Sequence, residues 1–233
     1  MRKTGIDAAR QFIQEFFPDC EFAVLAGSAS RGEETPTSDL DIVIFQKSPE
    51  SYRESFEQFG WRIEAFIHNH QSYIKEFQSE REKGRPILGN MISQGIVIKT
   101  GSSYVKVKKN AVQHVLEGPA PLTEDYIRAS RYFNYDLLDD FIDSRNEVEA
   151  IMTLNSLSLQ IADFILRYHG QWSGRGKGLA RALRTFDEKI YNEYFEALNQ
   201  FYKNRNKQPF HEFVEKVYEP LGGGLFNGFS SRK

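Results

Sequence analysis

The sequence predicts an α+β protein, with strands and helices mixed over residues 1–117 and an all-helical bundle over residues 118–233. Three observations carry that division. Short apolar runs of strand length occur only in the first half. Gly118-Pro119-Ala120-Pro121 then breaks the chain, because proline lacks the N–H a helix needs and clashes with the preceding turn. Beyond that break, apolar residues recur at helical spacing and strand signals cease.

Each element follows in order. Ala8 to Phe17 places Ala9, Phe12, Ile13 and Phe16 on one helical face and stops at Pro18. Glu21 to Ala26 is a short apolar run, read as a buried strand, and Leu40 to Phe45 is a second. Ser51 to Phe59 reads as a helix. After Gly60, residues Trp61, Ile63, Ala65 and Ile67 alternate with Arg62, Glu64, Phe66 and His68, the period of a third strand. Gln71–Lys83, Ile87–Ser93 and Tyr104–Leu116 are helical. The basic run Lys99, Lys106, Lys108 and Lys109 fits a solvated helix face.

In the second half, Thr123 followed by Glu124 and Asp125 marks a helix start, where a hydroxyl caps the backbone and acids suit the positive dipole end. Helical periodicity continues through Tyr126–Ile142, Val148–Tyr168, Leu179–Phe186, Ile190–Tyr202 and Phe210–Tyr218. The glycine- and serine-rich tail from Leu221 to Lys233 is expected to fray.

Composition excludes several classes. A formal charge of −2 with 27% charged residues gives no global basic field, which argues against a nucleic-acid partner. Cys20 is the single cysteine, so neither an internal disulfide nor a cysteine metal site is available, and a reducing cytosol suits it. The basic N-terminus lacks the apolar core of a signal peptide. No window approaches the roughly 18 apolar residues of a membrane span. The expected location is cytoplasmic, with no membrane partner.

The chemistry concentrates in residues 27–44. Gly27-Ser28-Ala29-Ser30-Arg31-Gly32 follows the first strand, and Ser38-Asp39-Leu40-Asp41 opens the second. Residues two apart on a strand face the same side at about 3.3 Å rise each, which places the backbones of Asp39 and Asp41 roughly 7 Å apart. Their carboxylates can converge on one or two cations. Paired metals suit in-line phosphoryl displacement, and Mg²⁺ takes oxygen ligands. Glu64, on the polar face of the third strand, completes the set when that strand neighbours the second. Gly27 lets backbone approach a ligand, Ser28 offers a hydroxyl, and Arg31 adds charge for the same phosphates. Ser38 can hold the loop beside Asp39 through its backbone. Six specified positions, each about 5–7% likely by composition, match by chance on the order of 10⁻⁷ to 10⁻⁸ times per starting point.

This stretch resembles the signature of the nucleotidyltransferase superfamily, which includes DNA polymerase beta and kanamycin nucleotidyltransferase. Gly27-Ser28, Gly32, Asp39, Asp41 and Glu64 occupy its positions, over roughly residues 5–100. The resemblance implies a small mixed sheet with flanking helices in a catalytic domain, residues 1–117, and a helical C-terminal domain, residues 118–233. It also implies two Mg²⁺ ions on Asp39, Asp41 and Glu64, and transfer of a nucleoside monophosphate from ATP or another nucleoside triphosphate with loss of pyrophosphate.

In the second half, Gly170-Gln171-Trp172-Ser173-Gly174-Arg175-Gly176-Lys177-Gly178 resembles more loosely the Gly-Trp-Gly-Lys segment of antibiotic-modifying relatives. That likeness implies a triphosphate contact from Lys177. It favours a small-molecule acceptor such as an antibiotic, bound in a cleft closed by the second domain. Related two-domain enzymes often complete their clefts as homodimers. Glu147, Glu149, Asp163 and the Asp136–Asp143 cluster all remain open as general base. Two alternatives stand beside this reading. One is a protein-AMPylating, antitoxin-type enzyme; the other is a nucleotide-binding regulatory module without turnover.

Overall fold

A computed structural model describes residues 2–231. The chain divides between Gly118 and Pro119 into two compact units. The first carries one five-stranded sheet: β1 (Phe22–Ala26), β2 (Leu40–Phe45), β3 (Tyr52–Gln58), β4 (Trp61–His68) and β5 (Ile96–Lys99), in the order β3-β4-β2-β1-β5. Only the β2–β4 pair is parallel; β1–β2, β1–β5 and β3–β4 are antiparallel. The sheet is therefore mixed.

Helices cover both faces, which is why β1 and β2 read as nearly continuous apolar runs. On one face, α1 (Gly5–Phe16) sets Ala8, Ala9, Phe12 and Ile13 against Ile42, Ile44, Ile63 and Ala65. On the other, α2 (Ser72–Lys83), α3 (Ile87–Gln94) and α4 (Tyr104–Glu117) cover Phe22, Val24, Val43 and Phe45. Phe12, Phe22 and Phe45 are almost wholly buried, each contributing about 1.5–3 kcal/mol relative to exposure.

The segment Ser51–Phe59 is not a helix. Its residues 52–58 form β3, which pairs with β4 in a register that joins Gln58 to Trp61 across two residues. Both turn residues, Phe59 (φ 56°) and Gly60 (φ 80°), lie in the left-handed region, as a type I′ hairpin turn requires. β3 is an edge strand whose charges face solvent, so it lacks the alternation that marks a half-buried strand. β5, which the sequence reading passes over, is a second edge strand. It removes Lys99 from any helix face and lets its Nζ donate to the Pro18 carbonyl at 2.6 Å.

The second unit comprises α5 (Glu124–Asp143), α6 (Glu147–Tyr168), α7 (Lys177–Phe186), α8 (Glu188–Asn204) and α9 (Gln208–Tyr218). Thr123 caps α5 and Asn146 caps α6 through side-chain oxygens that accept first-turn N–H groups. Leu138, Phe141, Leu154, Ile161, Phe201 and Phe210 belong to its core. Tyr218 is fully buried there, and its hydroxyl accepts from Asn134 Nδ2 at 2.6 Å. Residues 223 and 229 of the tail are packed against α5. Arg131 donates to the Gly223 carbonyl at 2.7 Å, and Phe229 stacks on Tyr132 with centroids 4.1 Å apart. Among the described residues, no helix is long and apolar enough to cross a membrane.

Candidate active site

The antiparallel register sets Ala26 opposite Asp41, so the turn after β1 begins beside that carboxylate. Gly27 has φ +71°, and a Cβ built there would lie 2.1 Å from Asp41 Oδ2. Two separate requirements thus exclude a side chain at this position: the backbone angle and the acid packed over it. Ser28 leads into a single 3₁₀ turn, Ala29–Arg31, which Gly32 closes at φ +67°.

The parallel register of β2 and β4 aligns Asp41 with Glu64. Alternation puts both on the face of Val43 and Phe66, at the strand end where β2 begins. Asp39, two residues earlier, joins them. Each of the three half-buried carboxylates offers an oxygen, and these oxygens lie within 4.8 Å of one another. Hard oxygen donors at that spacing suit a divalent cation such as Mg²⁺. Burial, then the charges of Asp39 and Glu64, push the Asp41 carboxyl up to about 6, against the opposing pull of Arg53 and Arg31. Burial and the two neighbouring carboxylates both work against a charge on Asp41.

The loop before Asp39 is tied down from both sides. Ser38 Oγ accepts from the Thr35 N–H at 2.9 Å and lies 3.2 Å from Ser28 Oγ, which donates to it. From the N-terminal segment, Arg2 donates to the Pro36 and Ser38 carbonyls at 3.2 and 3.1 Å, with its guanidinium 3.3 Å from the Trp61 ring centroid. Arg2 was not among the residues the sequence singled out, because its partners are more than thirty positions away. Arg31 pairs with Glu33 at 3.1 Å on the surface, near enough to Asp41 to favour its charged form.

Arg53 is the other residue that sequence reasoning missed. It stands on β3, where its guanidinium pairs with Glu64 and lies 4.8 Å from the Phe66 ring centroid. Reading residues 51–59 as a helix hid it, since only the β3–β4 register brings it to the acids.

His68 is at the far end of β4, where Nδ1 meets Ser72 Oγ at 3.2 Å and burial pushes its pKa down to about 4. Lys177 belongs to the second unit and opens α7, just after Gly176 at φ +49°. Among the base candidates, Asp163 accepts from the buried Ser173 hydroxyl at 2.5 Å, and Glu147 pairs with Arg205.

Residues 6–88 match the family model described as the nucleotidyltransferase domain. Among solved structures, the chain is similar to a nucleotidyltransferase-like protein from Exiguobacterium sibiricum 255-15. The two share 13% identity at a TM-score of 0.48, over 93% of this chain and 73% of that one. No curated protein matches.

Proposed function

We propose, from the match of residues 6–88 to the nucleotidyltransferase domain, that the protein transfers AMP from ATP to a hydroxyl of a small molecule. An antibiotic-like acceptor is the class this reading favours. The observation that supports it is the convergence of Asp39, Asp41 and Glu64 beside the Gly27-Ser28 turn. In the reaction, the acceptor oxygen bonds the α-phosphorus, its proton passes to solvent, and pyrophosphate leaves with the electrons of the broken P–O bond. Two divalent cations, when bound, activate the hydroxyl and offset charge on the phosphates.

The chain's own residues do the rest. Asp39, Asp41 and Glu64 would supply the oxygens that hold the cations. Gly27 leaves room for the Asp41 carboxylate, and the Ser28 hydroxyl and nearby backbone N–H groups are suited to an anion. Ser38 and Arg2 fix the segment that presents Asp39.

The test is Mg²⁺-dependent pyrophosphate release from ATP with a panel of hydroxylated acceptors. The wild type releases pyrophosphate, and Asp41→Asn does not, although its circular dichroism is unchanged. Equal activity in that variant contradicts the reading. ATP labelled at the α-phosphate resolves the acceptor. Label on a small solute supports the proposal, label on a protein band points to AMPylation, and nucleotide binding without any transfer points to a regulatory module.

A further inference from the structure

Glu64 is the member of the acidic triad that already holds a cation. Its carboxylate pairs with Arg53, and the β3–β4 register makes the two diagonal neighbours, with Arg53 opposite Phe66 and Ser55 opposite Glu64. Arg53 also feels Asp41 and Asp39, both of which favour its charged form. A divalent ion among the three acids would meet this guanidinium at the same carboxylate, and like charges at such distances repel.

The arginine is free to yield. Its side chain is 53% exposed, on an edge strand, with Glu64 and the Phe66 ring as its contacts. Turning it outward disturbs no core residue. A pair with its arginine half in solvent contributes little next to a divalent ion held by three carboxylates.

We propose that Arg53 is the resident countercharge of the triad, competing with the metal for Glu64 and thereby setting how tightly the site binds divalent cations. This rests on the reading that the triad is a metal site. In the metal-free protein Arg53 offsets part of the repulsion among the acids; on metal binding it releases Glu64. Arg53 is a positioning residue, acting through Glu64.

The experiment is a Mn²⁺ titration without nucleotide, following the electron paramagnetic resonance signal of unbound Mn²⁺, on the wild type, Arg53→Met, Arg53→Gln and Asp41→Asn. Methionine keeps the apolar stem over Phe66 and removes the charge; glutamine gives the same comparison should the methionine variant fail to fold. Arg53→Met is expected to bind Mn²⁺ about 3- to 10-fold more tightly than the wild type. Saturating Mn²⁺ should also raise its melting temperature by more than it raises that of the wild type. If Asp41→Asn loses binding while the Arg53 variants bind equally or more weakly than the wild type, the competition is overturned and the metal site stands. If the wild type and Asp41→Asn bind Mn²⁺ alike, the metal site itself is wrong and the competition falls with it.

Discussion

At the start of β2, three carboxylates face one another with one half-exposed arginine among them. At the start of α3, a single carboxylate, Glu80, is 2% exposed and hydrogen-bonded through both oxygens. Glu80 accepts from the N–H groups of Leu88 and Gly89, and its carboxyl shares a hydrogen bond with His114 Nε2 at 2.8 Å. His114 in turn stacks on Phe77, with centroids 4.2 Å apart and planes 3° from parallel. The two centres sit in the same unit and use the same chemical group. Glu80 is satisfied from within the chain, as a structural buried acid must be. The triad sets three acids against one paired arginine, and under the proposed reading a cation completes it.

Substitutions should separate the two sharply. Asp41→Asn is expected to reduce pyrophosphate release by at least about 10³-fold, because it removes a negative charge from the proposed cation site. The same change should raise the melting temperature of the metal-free chain at neutral pH, since it relieves repulsion among half-buried acids. A loss of stability instead would mean that the triad is compensated from within, like Glu80.

Gly27→Ala should come next. Its added methyl would meet the Asp41 carboxylate at 2.1 Å from a left-handed backbone position. A stability cost of about 1–3 kcal/mol is expected in urea unfolding, together with weakened Mn²⁺ binding. A fully active alanine variant would show that the carboxylate does not need its present place.

Glu80→Gln should leave metal binding intact while costing about 2–3 kcal/mol, because the amide nitrogen it introduces cannot accept from the Leu88 or Gly89 N–H. The effect depends on pH. Burial pushes the Glu80 carboxyl up to about 7 in the folded chain, from an ordinary value of 4.5. Its contribution is therefore fully present below pH 4.5 and is lost as pH rises through about 7. His114, which burial pushes down, works in the opposite sense below its ordinary value of 6.5. Because His114 touches Glu80, the difference between wild type and variant reports on the pair; led by Glu80, the cost of the substitution should shrink from pH 5 to pH 8. A cost that grows over that range would assign the proton wrongly.

Arg2→Met should produce the smallest change. It removes two exposed hydrogen bonds to the loop before Asp39, so less than about 1.5 kcal/mol of stability and a two- to threefold loss of Mn²⁺ affinity are expected. No change in affinity would mean that Ser38 and its neighbours hold Asp39 unaided.

How far the sequence reaches follows from where each signal lies. β1, β2 and β4 are readable because burial on the sheet faces leaves apolar runs or clean alternation. β3 is not, since Arg53, Glu54 and Glu57 lie on an exposed edge without a period, and β5, at four residues, is too short to stand out. The same split governs the site. Asp39 and Asp41 are local in sequence, and Glu64 follows from alternation along its own strand. Arg53 and Arg2 depend on pairings across the hairpin and with the N-terminal segment, which no local pattern records.

The most direct test of the metal account is a crystal grown with Mn²⁺ and a non-hydrolysable ATP analogue, with anomalous scattering used to locate the metal. The account predicts anomalous peaks within coordination distance of Asp39, Asp41 and Glu64, with the phosphates beside Gly27 and Ser28. Peaks elsewhere, with the three carboxylates bare and Glu64 still joined to Arg53, would contradict it.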